Sequence, residues 1–250
     1  MNKAIEFLWH KLSFPENALL ATRVPKKQFL ESGLLATGDK KLFKEAVKTI
    51  YWQYTLKPST CPVLPFRDQE REYPEIEALQ IEVISQKGYK RIAEIIHRAI
   101  PYPLMLGFFT ESNEIAISIA PKRFSQAEQG AFVAERFFTT AWIDIDHLKD
   151  HESAFFESLI WKNLPLSHYG VLYSVWIDRF TAYECAVLSG SFTIGKDDDR
   201  ISRLNQCREM ESSIAGLRSE LKKAAFNRQV ELNFQIKQLE HQLREVANGL

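Results

Sequence analysis

The densest run of side chains able to hold a metal ion is Asp144, Asp146, His147, Asp150 and His151. If this run is helical, His147 and His151 share a face at a four-residue step, the spacing of two zinc ligands on one helix. No Cys or Glu at suitable spacing completes the set. The run also lies where a strand pattern gives way to a helix pattern, a place where Asp serves as a cap, so no metal ligand is assigned. Gly190, Gly195 and Lys196 reproduce the phosphate-loop spacing, but the next residue is Asp197 where magnesium needs a Ser or Thr hydroxyl. Asp197, Asp198 and Asp199 would repel phosphate oxygens, and a glycine-containing linker is the better reading. A nuclease with an E-x-K element would need a lysine two positions after Glu82, and that residue is Ile84. Glu75, Glu77 and Glu82 then read as solvent-facing strand carboxylates. The chain has no G-x-S-x-G elbow. No catalytic residue and no cofactor are assigned.

A basic stripe offers different chemistry. Arg23, Lys26 and Lys27 precede Lys40, Lys41, Lys44 and Lys48, and Tyr51 and Trp52 follow. Lysines neutralise phosphates without reading sequence, and aromatic faces stack on unpaired bases. Lys26, Lys27, Lys41, Lys44 and Lys48 are therefore candidate nucleic-acid contacts. The competing reading is a solvated helix face with Tyr51 and Trp52 in the core. The whole chain gives no support either way, because Lys plus Arg and Asp plus Glu both number 32.

The elements that would position these groups follow from periodicity. At 250 residues, 45% hydrophobic and 26% charged, the chain has the composition of an ordinary globular protein. It contains no apolar run of about 18 residues that would span a membrane. Its N-terminal residues lack the continuous apolar core of a signal peptide. Cys61, Cys185 and Cys207 are odd in number and far apart, which predicts reduced thiols in a cytoplasmic protein. Short helices are predicted over 3–11 and 25–32, the second closed by Gly33. An amphipathic helix is predicted over 39–52, with Phe43, Ala46, Val47 and Ile50 on one face. Prolines 58, 62, 65 and 74 make 57–75 irregular. The alternation of Leu79, Ile81 and Val83 with Gln80 and Glu82 predicts a half-buried strand within 77–85. Helix 88–99, strand 104–109 and its hairpin partner 115–120 follow, then a strand over 134–143. The order β-α-β-β-β implies one parallel pair with antiparallel neighbours. Helices are predicted over 152–162 and 170–188, and 189–200 reads as a polar linker.

The C-terminal segment carries an amphipathic, coiled-coil-like pattern. Met210, Ile214, Leu217, Leu221 and Ala224 form one seam. Ala225, Leu232, Ile236, Leu239, Leu243 and Val246 form another, one residue out of phase. Either one long helix contains a skip near 224–228, or the chain folds back over 222–229 as an antiparallel hairpin. The absence of Gly and Pro there favours the single helix. The expected organisation is an α+β domain over 1–190, with a small mixed sheet packed by helices, a linker over 191–202 and a helical arm over 203–248. A narrow seam must be buried against something, and contact with another chain is the favoured reading. Leu217, Leu221, Leu232, Ile236, Leu239 and Leu243 are the candidate partner-binding residues.

The segments IEFLWHKLSFPEN, RVPKKQF, KEAVKTIYW, IEALQIEV, IHRAIPYPLMLGF and KKAAFNRQVELNFQIKQLEHQL resemble the bacterial and archaeal family called domain of unknown function 4391. The likeness runs from about Phe7 to Leu243. Its most specific pieces are Ile100, Pro101 and Tyr102 and the run from Phe226 to Asn233. The resemblance implies a companion of DNA methyltransferase and helicase genes in restriction-modification or phage-defence loci, and it supplies no catalytic residues. The expected function is thus a non-enzymatic, cytoplasmic accessory protein that binds a DNA methyltransferase or helicase subunit, or itself, through the C-terminal arm. The alternatives are a nucleic-acid-binding module using the basic stripe and a metal-dependent hydrolase or nuclease.

Overall fold

A computed structural model describes residues 2–31, 35–127, 130–195 and 198–250. They form two compact units, 1–180 and 181–250. The first opens with α1 (Lys3–Leu12), capped by the Asn2 side chain, which accepts from the Ala4 backbone N–H. Strand β1 (Leu19–Arg23) follows, then α2 (Lys26–Leu30) and α3 (Thr37–Ala46). The proposed closing residue of the second predicted helix, Gly33, lies outside the described residues. All five residues of β1 are exposed, so this edge strand leaves no period-two signature in the sequence.

The predicted helix over 39–52 is corrected. It ends at Ala46, and Val47–Leu56 is strand β2. Val47, Thr49 and Ile50 are β-branched and Tyr51, Trp52 and Tyr54 are aromatic. These residue types favour a pleated strand once a partner is available. The partner is β5, with Val47 opposite Val83 and Ile50 opposite Ile81. A small hairpin of β3 (Phe66–Arg67) and β4 (Glu72–Tyr73) interrupts the proline-rich connection before β5 (Ile76–Val83).

Helix α4 (Tyr89–Ala99) crosses over to β6 (Leu104–Phe109), which lies parallel to β5, and β7 (Glu114–Ala120) returns antiparallel to β6. This is the predicted β-α-β-β arrangement. The expected strand over 134–143 is instead broken. Among the described residues the region holds β8 (Lys122–Phe124) and β9 (Phe132–Ala134) as a hairpin, then β10 (Phe138–Thr139) and β11 (Ile143–Asp144) as two separate pairings on β7. Among the described residues the main sheet has seven strands, in the order β1-β2-β5-β6-β7-β10 with β11 also on β7.

The half-buried reading of β5 is also corrected. Leu79, Ile81 and Val83 pack with Ile92, Ile95 and Ile96 of α4, while on the opposite face Gln80 meets Trp9 of α1. A strand covered by helices on both sides has no solvent face. Gly107 of β6 lies under α1; a Cβ there would stand 2.8 Å from Leu8 Cδ2. Helix α5 (Asp150–Ser158) covers α1 through an edge-to-face contact of Phe156 on Phe7, centroids 5.1 Å apart. Helix α6 (Tyr169–Ser189) contributes Tyr173 and Trp176 to the same aromatic layer.

In the second unit, α7 (Asp198–Leu221) and α8 (Phe226–Ala247) form an antiparallel pair. The single long helix favoured by the lack of Gly and Pro does not form. The helix breaks over 222–225 and Ala225 is extended (φ −68°, ψ 157°). The two out-of-phase seams supply the reason. Folding back lets each seam cover the other, where a continuous helix would leave both open. Arg228 ties the turn by donating to Glu220 Oε1 at 3.0 Å and Glu231 Oε2 at 2.7 Å, and Arg218 reaches Glu240 at 2.7 Å across the pair.

Candidate functional site

The Asp144–His151 run sits at the sheet edge and does not form the helical face that would align its histidines. Helix α5 starts only at Asp150, so His147 lies outside it. Asp144 ends β11 and accepts from His147 Nδ1 and from the Asp146 backbone N–H, both at 2.9 Å. These bonds hold the Asp144 carboxyl below the usual range and push the His147 imidazole up. Asp146 binds Lys3 and accepts from Asn113 Nδ2 at 3.0 Å. Among the described residues no group of three or more His, Cys, Asp or Glu side chains is placed to hold a metal ion. The run acts as a polar turn that launches α5, whose Glu152 accepts from the Lys149 backbone N–H at 2.8 Å. The glycine-rich stretch after residue 189 follows a helix rather than a strand, so it lacks the strand–loop–helix context of a phosphate loop. Lys196 and Asp197 lie outside the described residues.

The solvent-facing reading of the β5 carboxylates fails at Glu77, which is 1% exposed. Its Oε2 accepts from Trp52 Nε1. Burial pushes its pKa up to about 7, against the opposing pull of hydrogen bonds from Trp52 and Thr55. Trp52 is therefore a half-buried donor within β2. The basic stripe is split accordingly. Lys41 and Lys44 are exposed on α3, whereas Lys48 stands on β2 and pairs with Glu111 at 2.9 Å. Lys27 lies 3.6 Å from Glu31. Lys26 donates to the Val47 carbonyl at 2.6 Å and, with Arg23 and Lys48, lines a cleft of about 310 Å³.

Two further polar groups are locked into the core of the first unit. His97 Nε2 lies 3.1 Å from Ser118 Oγ, which lies 2.8 Å from Thr139 Oγ1. His97 and Ser118 are both fully buried, and burial holds the imidazole neutral. This is a core network without access for a substrate. Lys122, 2% exposed, donates to the carbonyls of His97 and Ile100 and so closes the C-terminal end of α4. Burial pulls its pKa down to about 7.

A cleft of about 370 Å³ in the first unit joins two runs of arginine and aromatic residues that lie far apart in the chain. Phe66, Arg71 and Tyr73 come from the β3–β4 hairpin and Glu135, Arg136 and Phe138 from the segment around β10, with Gly170, Tyr173 and Ser174 of α6 below. Glu135 receives Arg71 at 2.9 Å on one oxygen and Arg123 at 3.5 Å on the other. The Arg136 guanidinium lies 4.4 Å over the Phe138 ring. Phe66 stacks on His168 with centroids 4.9 Å apart. The phenols are committed elsewhere: Tyr73 to the Lys122 backbone, Tyr173 to the Leu104 and Ala120 carbonyls. Periodicity could not reveal this cleft. The only trace in the sequence is the alternation of Arg with Phe or Tyr in both segments.

In the second unit the six seam residues lie within the helical pair. Leu232 and Ile236 are buried and Leu217, Leu221, Leu239 and Leu243 half-buried. The opposite face of α8 carries Phe226, Val230 and Phe234, exposed by 76%, 59% and 70%. Their four-residue steps make one stripe, which runs on into Lys237, His241 and Arg244, also exposed. Among the described residues no helix is long and apolar enough to cross a membrane. A family model described as Domain of unknown function (DUF4391) matches residues 12–243. No curated protein and no solved structure matches the chain.

Proposed function

The chain belongs to the DUF4391 family, and on that premise we propose that it is a non-enzymatic, cytoplasmic accessory protein that docks on a partner protein through the outer face of α8. The observation that carries this reading is the exposed Phe226–Val230–Phe234 stripe. Three large apolar side chains in a row on a helix whose other face is already covered mark a contact surface. Each would contribute about 1.5–3 kcal/mol on burial. Lys237 and Arg244 continue the stripe, so the partner surface is an apolar groove with acidic side chains at one end. A subunit of a DNA methyltransferase or helicase is the partner that the family resemblance implies. The free, buried thiols of Cys61, Cys185 and Cys207 support a reducing compartment.

The test is co-expression with such a subunit. Phe226→Asp together with Phe234→Asp is expected to abolish co-purification while leaving helical circular dichroism and the melting temperature unchanged. Leu232→Asp, in contrast, is expected to melt the helical pair itself, because Leu232 is fully buried. A complex that survives the double Phe substitution would remove the α8 face from the interface.

A further inference from the structure

We propose that Arg23, Lys26 and Thr49, together with Lys40 and Lys44 of α3, form a track that binds the phosphates of a nucleic-acid backbone. Arg23 ends the edge strand β1 and Lys26 opens α2, and both line a cleft of about 310 Å³ with Lys48 and Thr49 of β2. Among the described residues no carboxylate lines this cleft. Lys48 is already paired with Glu111. Arg23 is exposed, and its guanidinium has no hydrogen bond or ion pair among the described residues. The Lys26 ammonium donates to the Val47 carbonyl at 2.6 Å and the Lys44 carbonyl at 3.3 Å. These neutral acceptors fix its position and leave its charge uncompensated. The Thr49 hydroxyl is buried without a hydrogen-bond partner. A buried hydroxyl of this kind is completed by a ligand or a water, and Thr side chains donate to phosphate oxygens.

The surroundings select the ligand class. Lys44 adjoins Lys26 through that carbonyl contact, and Lys40 is one turn back on the same face of α3. Both are exposed, and among the described residues neither pairs with a carboxylate. Asp39, at the start of the same helix, is taken by Arg91. Glu45 stands four residues on from Lys41 and offsets part of that lysine's charge, so Lys40 and Lys44 are the pair that extends the track. Arg23, Lys26, Lys44 and Lys40 thus make a run of four uncompensated cations. A single phosphate would fill the cleft and leave the lysines of α3 unused. An acidic peptide carries its charges at intervals, whereas a phosphodiester chain carries one on every unit. The same geometry takes Lys27 and Lys48 out of the basic stripe, since they pair with Glu31 and Glu111, and Trp52, whose Nε1 donates to Glu77.

The experiment is fluorescence anisotropy of the full-length protein with labelled single-stranded DNA, single-stranded RNA and duplex DNA, with inorganic phosphate and polyglutamate as competitors. At least one nucleic acid is expected to bind, with affinity falling about 50- to 150-fold between about 50 and 200 mM salt, the loss for four phosphate contacts. Arg23→Gln with Lys44→Gln removes two side chains that have no partner to lose. The pair should weaken binding about tenfold or more and flatten the salt slope by about 1.4–1.8, with the melting temperature unchanged. Lys57→Gln with Lys162→Gln makes the same change in charge at exposed positions outside the cleft, and should weaken binding less than about twofold. Thr49→Val should weaken binding and leave the melting temperature unchanged or raised, because the hydroxyl has no partner in the free protein. The preferred nucleic acid identifies the natural form of the backbone, and any of the three supports the site. Absence of binding at about 50 mM salt overturns the proposal. So does an equal loss in the two double variants, or displacement by polyglutamate or inorganic phosphate at the same concentration of charge as the oligonucleotide.

Discussion

Glu77 is an ionisable side chain that the fold holds against its solution preference. Its folded pKa of about 7 lies above the ordinary value of 4.5. Between those two pH values the folded chain keeps a proton that the unfolded chain releases. The contribution of Glu77 to stability is therefore greatest below pH 4.5 and is lost as pH rises through about 7, with a total loss on the order of 3 kcal/mol. Glu77→Gln keeps an acceptor for Trp52 Nε1 and removes the charge. It should raise the melting temperature at about pH 8 and change it little at about pH 4.5; an equal effect at both would show that Glu77 ionises normally. Lys122 has the opposite slope. Its folded pKa of about 7 lies below 10.5, so stability rises with pH across that window as the buried amine sheds a proton that the unfolded chain retains. Lys122→Met leaves the His97 and Ile100 carbonyls without this donor. Its deficit relative to the parent protein, read from urea melts, should grow as pH rises from 7 to 10.5.

At the scale of elements, the break between α7 and α8 makes a prediction that a continuous helix reverses. Ala225 is extended (φ −68°, ψ 157°), the conformation that a following proline demands, and Phe226 is the first residue of α8. Phe226→Pro should therefore leave the stability of the helical pair unchanged or slightly raised. In an uninterrupted helix the same change would cost about 3 kcal/mol. Thermal melts followed at 222 nm, the α-helix band, decide between the two. The sheet has a comparable point at Gly107, where β6 runs beneath α1. Gly107→Ala forces its methyl against Leu8 and Phe109, costing about 1–3 kcal/mol, and Leu8→Ala in the same chain should restore part of that loss.

For the whole molecule, the chain divides into two compact units, 1–180 and 181–250, and the α8 stripe lies in the second. The Phe226→Asp, Phe234→Asp pair is therefore expected to abolish partner capture while leaving the pH dependence of stability set by Glu77 and Lys122 of the first unit unchanged. Co-purification and thermal melts across pH on the same variant measure this.

Local periodicity was enough to set out the centre of the fold and the helical character of the C-terminal segment. The three-to-four-residue steps of Ile92, Ile95 and Ile96, the short apolar run over 104–109 and the alternation of Ile115, Ile117 and Ile119 record burial within one element and need no knowledge of its neighbours. Four features required the neighbours. Val47–Leu56 is a strand because β5 is there to pair with it. Glu77 is buried because helices cover both faces of the sheet. The C-terminal segment turns back because two seams one residue out of phase cover each other only when antiparallel. Arg71 and Arg136 share a cleft because separate parts of the chain meet beside α6. A sequence pattern states how much of a side chain must be hidden, whereas which group hides it is decided only when distant parts of the chain compete for the same surface.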